Sequence, residues 1–230
     1  LSLHDALPIF VSQNSYVSQF SPIDESIPVD VHRKDRMKRY AHQLLWHAKC
    51  IRPDLIFDCA KVAHARNHQI EEIQKVNAIL SIVTASPSFG IIIPKLDLRS
   101  IRILAFADFS GSAQQHLEKH QVGFIIFASD DSNRTVPIFY TSRKPRRAHR
   151  GPGAGEAHAL ADAVNRALYE KKVMQEMLDT RISVSAFTDC KVVFDLCTCF
   201  SLPTDLRCVR DYELVRESLA TGELCEVNWI

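Results

Sequence analysis

IRILAFADFSGS, residues 101–112, is the stretch that decides the fold. It is a short apolar run rich in Ile and Phe, as a buried strand is, and it brings an acid, Asp108, close to its end. Two later stretches repeat the arrangement. GPGAGEAHALADAV (151–164) sets Glu156 at the start of a helix, and ISVSAFTDCKVV (182–193) is a strand whose alternation delivers Asp189 at its C-terminal end. Carboxylates far apart in sequence but carried on rigid elements are what a two-metal phosphodiester hydrolase needs, because divalent cations close together repel unless anionic oxygens hold them. The chain reads as a nucleic-acid hydrolase domain.

Working outward, residues 101–107, 122–128 and 136–141 predict three successive antiparallel strands separated by polar loops. A long helix follows over 155–179, with Leu160, Val164, Leu168 and Met174 at near-helical intervals. Next come a strand over 182–188, one or two helices within 191–220 and a final strand over 224–230. The order βββαβ(αα)β is an α/β pattern with a mixed sheet. Upstream the period is helical. Tyr40, Leu44, Leu45 and Ala48 recur within 33–50, Pro53 interrupts, a second helix occupies 54–66, and Ile70, Ile73, Val76, Leu80 and Val83 stripe a third over 69–83. A small helical unit over 31–88 therefore precedes a sheet domain over 99–230. Residues 1–30 show no sustained period and read as a disordered or artefactual leader. The opening LSLHDALPIF has no initiating Met, basic region or long apolar core, and resembles sequencing-adapter read-through.

Composition narrows the partners. The chain of 230 residues has a formal net charge of +1, so affinity for phosphate must come from local patches. Two basic runs qualify: His32, Arg33, Lys34, Arg36, Lys38 and Arg39, and then Arg143, Lys144, Arg146, Arg147, His149 and Arg150, which lies directly before Glu156. Either run also has an ordinary reading as a solvated face. Seven scattered cysteines imply reduced thiols in an intracellular protein, cytoplasmic or nuclear. Cys197 and Cys199 are spaced CxC with no second ligand pair, which disfavours structural zinc. No stretch approaches the roughly 20 apolar residues of a membrane span.

Several segments, in order, resemble the end of the reverse transcriptase region plus the ribonuclease H domain of a copia-type LTR-retrotransposon Pol polyprotein. LLWHAKCIRPDL (44–55) resembles that family's LLWLA...RPD helix, and LAFADFSGS (104–112) its first ribonuclease H strand. PIFYTSRKPRR (137–147) resembles the third strand and basic turn, AGEAHAL (154–160) the start of the catalytic helix, and FTDCKVV (187–193) the fourth strand. DYELVRESLATGELCEVNWI (211–230) resembles the following helix and last strand. The likeness covers residues 36–230, and the polymerase's own YxDD motif is absent from the chain.

The resemblance implies a ribonuclease H-like five-stranded mixed sheet with flanking helices. It also implies two Mg²⁺ (or Mn²⁺) ions hydrolysing the RNA strand of an RNA–DNA hybrid, with the remainder of the reverse transcriptase polyprotein as a further partner. Asp108 would bridge both ions, and Glu156 and Asp189 would complete the leaving-group side. Arg143, Lys144, Arg146, Arg147 and Arg150 would touch the phosphates of the hybrid. Asp211 aligns with a recurring family Asp and joins the catalytic candidates, although its position before the last strand points to a supporting role.

Each acid also has a structural reading: Asp108 as a strand-end turn residue, Glu156 as a first-turn acid favoured by the helix dipole, and Asp189 as a helix N-cap. The chain departs from the family pattern in three places. GPG replaces Ser-Thr before the acid helix, Cys190 replaces the Asn after Asp189, and the sequence stops at Ile230, before the closing helix that carries the family's fourth acid. The alternative to an enzyme is a non-catalytic ribonuclease H-like fragment that binds nucleic acid or a partner without cleaving.

Overall fold

A computed structural model describes residues 8–25, 31–65, 70–111, 120–145, 147, 149, 151–199 and 201–230. The chain divides into two units, Pro8–Ile93 and Pro94–Ile230.

In the first unit, β1 (Ile9–Ser12) and the short α1 (Asn14–Val17) lead into α2 (Val31–Ile51). The Pro53–Leu55 3₁₀ turn follows, then α3 (Ile56–Ala63), α4 (Ile70–Ala85) and β2 (Gly90–Ile93). Pro53 ends the helical run because it supplies no N–H and restricts Arg52 to a non-helical conformation. α2 buries the expected Tyr40, Leu44, Leu45 and Ala48, and α4 buries Ile73, Val76, Leu80 and Val83, whereas Ile70, expected on the same stripe, is exposed at the first position of α4.

The stretch expected to be a disordered leader is partly built into this unit. Val17, Phe20 and Ile23 are buried. Asn77 clamps the backbone of Ile23, accepting its N–H at 2.8 Å and donating to its carbonyl at 2.8 Å. His47 shares a 2.7 Å hydrogen bond with Gln13, and β1 pairs antiparallel with β2, Phe10 opposite Ile92. Anchors this sparse, three apolar side chains and borrowed polar partners, leave no period to read. They also move the boundaries, from the expected 31–88 to Pro8–Ile93.

The second unit holds β3 (Arg102–Ser110), β4 (Gln121–Ser129), β5 (Thr135–Arg143), α5 (Pro152–Leu178), β6 (Ser183–Thr188), α6 (Lys191–Thr198), α7 (Val209–Ala220) and β7 (Glu226–Trp229). Strand order is β5-β4-β3-β6-β7. β4 is antiparallel to β3 and β5, while β6 is parallel to β3 and β7 is parallel to β6. This is the ribonuclease H-like five-stranded mixed sheet that the resemblance implies.

The pleat sorts β3 into two faces. Ile103 and Ala105 point into a core completed by Ile126, Val184, Ala186 and Val227, by Leu160 and Val164 of α5, by Val193 of α6 and by Tyr212 and Val215 of α7. Small residues on α5, among them Ala157, Ala161, Ala163 and Ala167, let that helix lie close to the sheet. Leu104, Phe106 and Asp108 occupy the other face, where Phe106 stacks on Phe187 of β6 with ring centroids 4.5 Å apart. The sheet unit begins before the expected residue 99, because Leu96 packs on this core and the Asp97 N–H donates to Asp130 at 3.0 Å.

Candidate metal centre

The pairing of β3 with β6 is parallel and places Ala107 opposite Thr188, so the next residues, Asp108 and Asp189, leave adjacent strands abreast. Both are exposed, and like charges set side by side repel. The turn that carries Asp189 is held from β7: the Trp229 indole Nε1–H donates to the Asp189 carbonyl at 3.1 Å, and the Ile230 N–H donates to the Thr188 carbonyl at 3.1 Å. The Cys190 N–H donates to Thr188 Oγ1 at 3.2 Å.

Glu156 arrives from the other direction. α5 starts at Pro152, whose fixed φ suits the first helical position and whose missing N–H costs nothing there. Glu156 is thus the fifth helical residue, buried at 9% exposure, and the first turn contains no acid. The approach of α5 to β3 depends on Gly155. A Cβ there would lie 2.4 Å from the Phe109 ring, far inside van der Waals contact. A glycine next to the acid therefore lets Phe109, next to the other acid, slide beneath the helix.

Asp108, Glu156 and Asp189 bring one oxygen each to within 4.8 Å of one another. Burial of the Glu156 carboxyl, reinforced by the charges of Asp108 and Asp189, pushes its pKa up to about 8, against the opposing pull of the Phe109 backbone N–H. Its Oε2 is buried without a hydrogen-bond partner among the described residues. A buried, unpartnered carboxylate oxygen facing two exposed carboxylates is a poor arrangement for any of the ordinary structural roles. Glu156 is no first-turn dipole acid, and the N-cap position of α6 is occupied by Cys190, with no side-chain cap. The same arrangement suits hard divalent cations, whose charge offsets the repulsion and whose preferred ligands are carboxylate oxygens.

Asp211 is not brought to this group. It lies on α7, ion-paired with Arg147, its Oδ1 3.7 Å from Nδ1 of His158. Burial pushes the Asp211 carboxyl up, but the hydrogen bonds from His158 and Arg147 outweigh it and hold the pKa below the usual value. Arg143 is paired in turn with Asp162 of α5. Two of the five residues expected on the phosphates of a hybrid, Arg143 and Arg147, are therefore internal straps that tie the β5–α5 connection to α5 and α7. Lys144 is half-buried, and Arg146 and Arg150 lie outside the described residues.

A further feature sits behind the carboxylates. His149, 8% exposed, packs its ring against Phe109 with centroids 5.4 Å apart and against His158 at 5.2 Å. Burial, aided by His158 and Arg147, lowers its pKa to about 4, and neither ring nitrogen has a hydrogen-bond partner among the described residues. In sequence His149 is one more cation in a basic run, so nothing separates it from its exposed neighbours. Cys197 faces the core and Cys199 solvent, so the CxC pair does not converge.

No family model matches the chain, and no curated protein matches it in sequence. Among solved structures it is similar to ribonuclease H1 of the halophilic archaeon Halobacterium salinarum, at 15% identity over 56% of this chain and 85% of that one, with a TM-score of 0.41. It is similar to the N-terminal ribonuclease H domain of a Mycobacterium tuberculosis protein, at 14% identity over 57% of this chain and 81% of that one, with a TM-score of 0.37. A third likeness is to the protease–reverse transcriptase of prototype foamy virus, at 12% identity over 58% of this chain and 18% of that one, with a TM-score of 0.37.

Proposed function

We propose that the chain is a ribonuclease H-type endonuclease of a copia-type retrotransposon, cutting the RNA strand of RNA–DNA hybrids, and that Asp108, Glu156 and Asp189 hold its divalent cations, Mg²⁺ or Mn²⁺. The observation that supports this reading is the convergence of the three carboxylates with the Glu156 oxygen left unpartnered. The order of the sequence motifs supports the retrotransposon origin, with the rest of a reverse transcriptase polyprotein as partner and hybrids inside the cell as substrate.

Bound divalent cations would supply Lewis-acid activation of water and stabilisation of the departing 3′ oxygen. The chain's own residues do the rest. Asp108 and Asp189, exposed at the ends of β3 and β6, leave the phosphodiester open access to the site from solvent. Glu156, on the buried side, keeps a proton on its carboxyl below a pH of about 8 when no cation is present. A cation held there would require the deprotonated carboxylate, so affinity for it should rise with pH through the neutral range. Specificity for RNA rests on contacts to 2′-hydroxyl groups across the minor groove of the hybrid. Arg143 and Arg147 reach phosphates only by exchanging their carboxylate partners, Asp162 and Asp211.

The position of Asp211 favours a second reading. With Asp211 committed to Arg147, three carboxylates rather than four gather among the described residues, which fits a fragment that holds hybrid without cleaving it. Cleavage of a labelled RNA–DNA hybrid with Mn²⁺, comparing the chain with Asp108→Asn, separates the two. Cleavage that the substitution reduces at least about a hundredfold supports the enzyme, since loss of a metal ligand removes most of the charge stabilisation. Binding without cleavage by either protein supports the second reading, and cleavage indifferent to Asp108 refutes the site.

A further inference from the structure

The first basic run opens α2 in the first unit. α2 carries six Lys and Arg residues against a single carboxylate, Asp35, in a chain whose net charge is only +1. Met37, Tyr40, Ala41, Leu44, Leu45 and Ala48 are buried, and Lys38, Arg39, His42, Trp46 and Lys49 are exposed. Residues 38, 42, 46 and 49 follow one another at helical steps, so they share one face about 16 Å long. Arg36 is used within the unit, donating to Ser21 Oγ at 3.1 Å with its guanidinium 5.4 Å from the Tyr40 ring.

Trp46 is the unusual member of this face. A tryptophan at 51% exposure in the middle of a cationic stripe leaves much of its indole in water. Its ring is nonetheless fixed. Tyr16 meets it edge-on with centroids 4.9 Å apart, and Tyr16 is itself braced by Phe20 at 5.3 Å and by the buried His47 at 6.1 Å. The aromatic is thus oriented in advance, flanked by Lys38 and His42 on one side and Lys49 on the other.

We propose that this face of α2 binds a single strand of nucleic acid, with Lys34, Lys38, Arg39 and Lys49 along the phosphates and a base stacked on Trp46. Cations that track a backbone and an aromatic platform that accepts any base are the two elements of sequence-independent single-strand binding. An anionic membrane surface fits less well. Insertion needs an apolar face, and Met37, Tyr40, Ala41, Leu44, Leu45, Ala48 and Ile51 of α2 are all buried. The proposal rests on the first unit alone and stands whether or not the chain cleaves hybrid.

The test uses intrinsic fluorescence. The chain has two tryptophans, so Trp229→Phe leaves Trp46 as the only reporter. Titration of that protein with a short oligothymidine should quench the emission to saturation. With about four phosphate contacts, the logarithm of affinity should fall with the logarithm of salt at a slope of roughly −2 to −3. Adding Lys38→Ala and Arg39→Ala, both at exposed positions, should weaken binding about tenfold at low salt and flatten the slope by about 1.4. Asp108→Asn in the same background should leave the titration unchanged, which separates failure here from failure at the metal centre. Absence of quenching, quenching indifferent to salt or to the double substitution, or saturable binding to phosphatidylserine vesicles without response to the oligonucleotide would each overturn the proposal.

Discussion

Replacing Glu156 by Gln should stabilise the cation-free protein at neutral pH while removing a ligand of the proposed centre, and the pH profile gives the size. In the folded chain burial, then Asp108 and Asp189, push the Glu156 carboxyl up to about 8, against an ordinary value of 4.5. Between these limits the folded state holds a proton that the unfolded state has lost, so stability falls as pH rises, by about 1.4 kcal/mol per pH unit. His149 works in the opposite sense. Its pKa is lowered to about 4 from 6.5, so between those limits the unfolded state holds the extra proton and stability rises with pH by the same slope. The two effects cancel between about pH 4.5 and 6.5, and the wild-type profile should be flat there. From 6.5 to 8 only the Glu156 effect remains, and stability should fall by about 2 kcal/mol. Glu156→Gln should instead climb by about 3 kcal/mol between pH 4 and 6.5 and then level off, standing about 3 kcal/mol above wild type at pH 7. In a unit of this size that difference moves the melting temperature by roughly 10 °C. The assay is thermal and urea unfolding from pH 4 to 9 in EDTA, in a Trp46→Phe background so that Trp229, whose indole donates to the Asp189 carbonyl, reports on the sheet unit. Adding Mn²⁺ at pH 8 should then stabilise the wild type but hardly the Gln variant, because loading needs the carboxylate. Parallel profiles for the two proteins would refute the reasoning.

Gly155→Ala sets two effects against each other. Ala favours the helix by about 1 kcal/mol, but a Cβ placed 2.4 Å from the buried Phe109 ring costs about 1–3 kcal/mol. Net destabilisation is expected in denaturant titrations, with recovery when Phe109→Leu is added. Asp211→Asn should cost roughly 1–2 kcal/mol by removing the carboxylate that accepts from Arg147. It should leave Mn²⁺ binding by calorimetry intact, whereas a true ligand would lose it. Because the Asp211 pKa is lowered, its stabilisation is present above the usual carboxylate range and disappears as pH falls below it, so the cost of Asp211→Asn should vanish in acid unfolding. His149→Phe should abolish the rise between pH 4 and 6.5 that Glu156→Gln exposes, which equilibrium unfolding of the double variant reads directly.

The sheet was legible because its signals are local. Short runs of Ile, Val and Phe separated by polar turns mark β3, β4 and β5, and a parallel return through α5 follows from their order. The nearness of Asp108 and Asp189 could be anticipated for the same reason, since both fall near the ends of strands and the register of β3 on β6 sets them abreast, whereas Glu156, a turn inside α5, joins them only when the helix is laid on the sheet. What could not be read depends on contacts across the fold. Arg143 and Arg147 look like any exposed cation until α5 and α7 supply Asp162 and Asp211. The segment before α2 looked unstructured because it adds three apolar side chains to the surface of the helices and borrows Asn77 for its backbone, and neither leaves a periodic trace. Glycine 155 is visible as a residue, but its reason, the ring of Phe109, appears only when the helix is laid on the strand.

Phe109 ties these features together. Its backbone N–H offsets part of the unfavourable charge on Glu156, its ring fills the space that Gly155 leaves open, and its flanks meet the rings of His120 at 5.5 Å and His149 at 5.4 Å. Carboxylates that repel one another need a stiff support to stay close without a cation, since any give in α5 or β3 would let them separate. A buried aromatic wedged between a helix glycine and a neutral histidine provides that stiffness, and it requires His149 to remain uncharged, because an imidazolium there would face Arg147 and His158 in an apolar setting. The low pKa of His149 and the high pKa of Glu156 are thus two consequences of one packing arrangement. Both groups are held neutral around a single ring, and only the carboxyl, whose repulsion a divalent cation would relieve, gains by becoming charged.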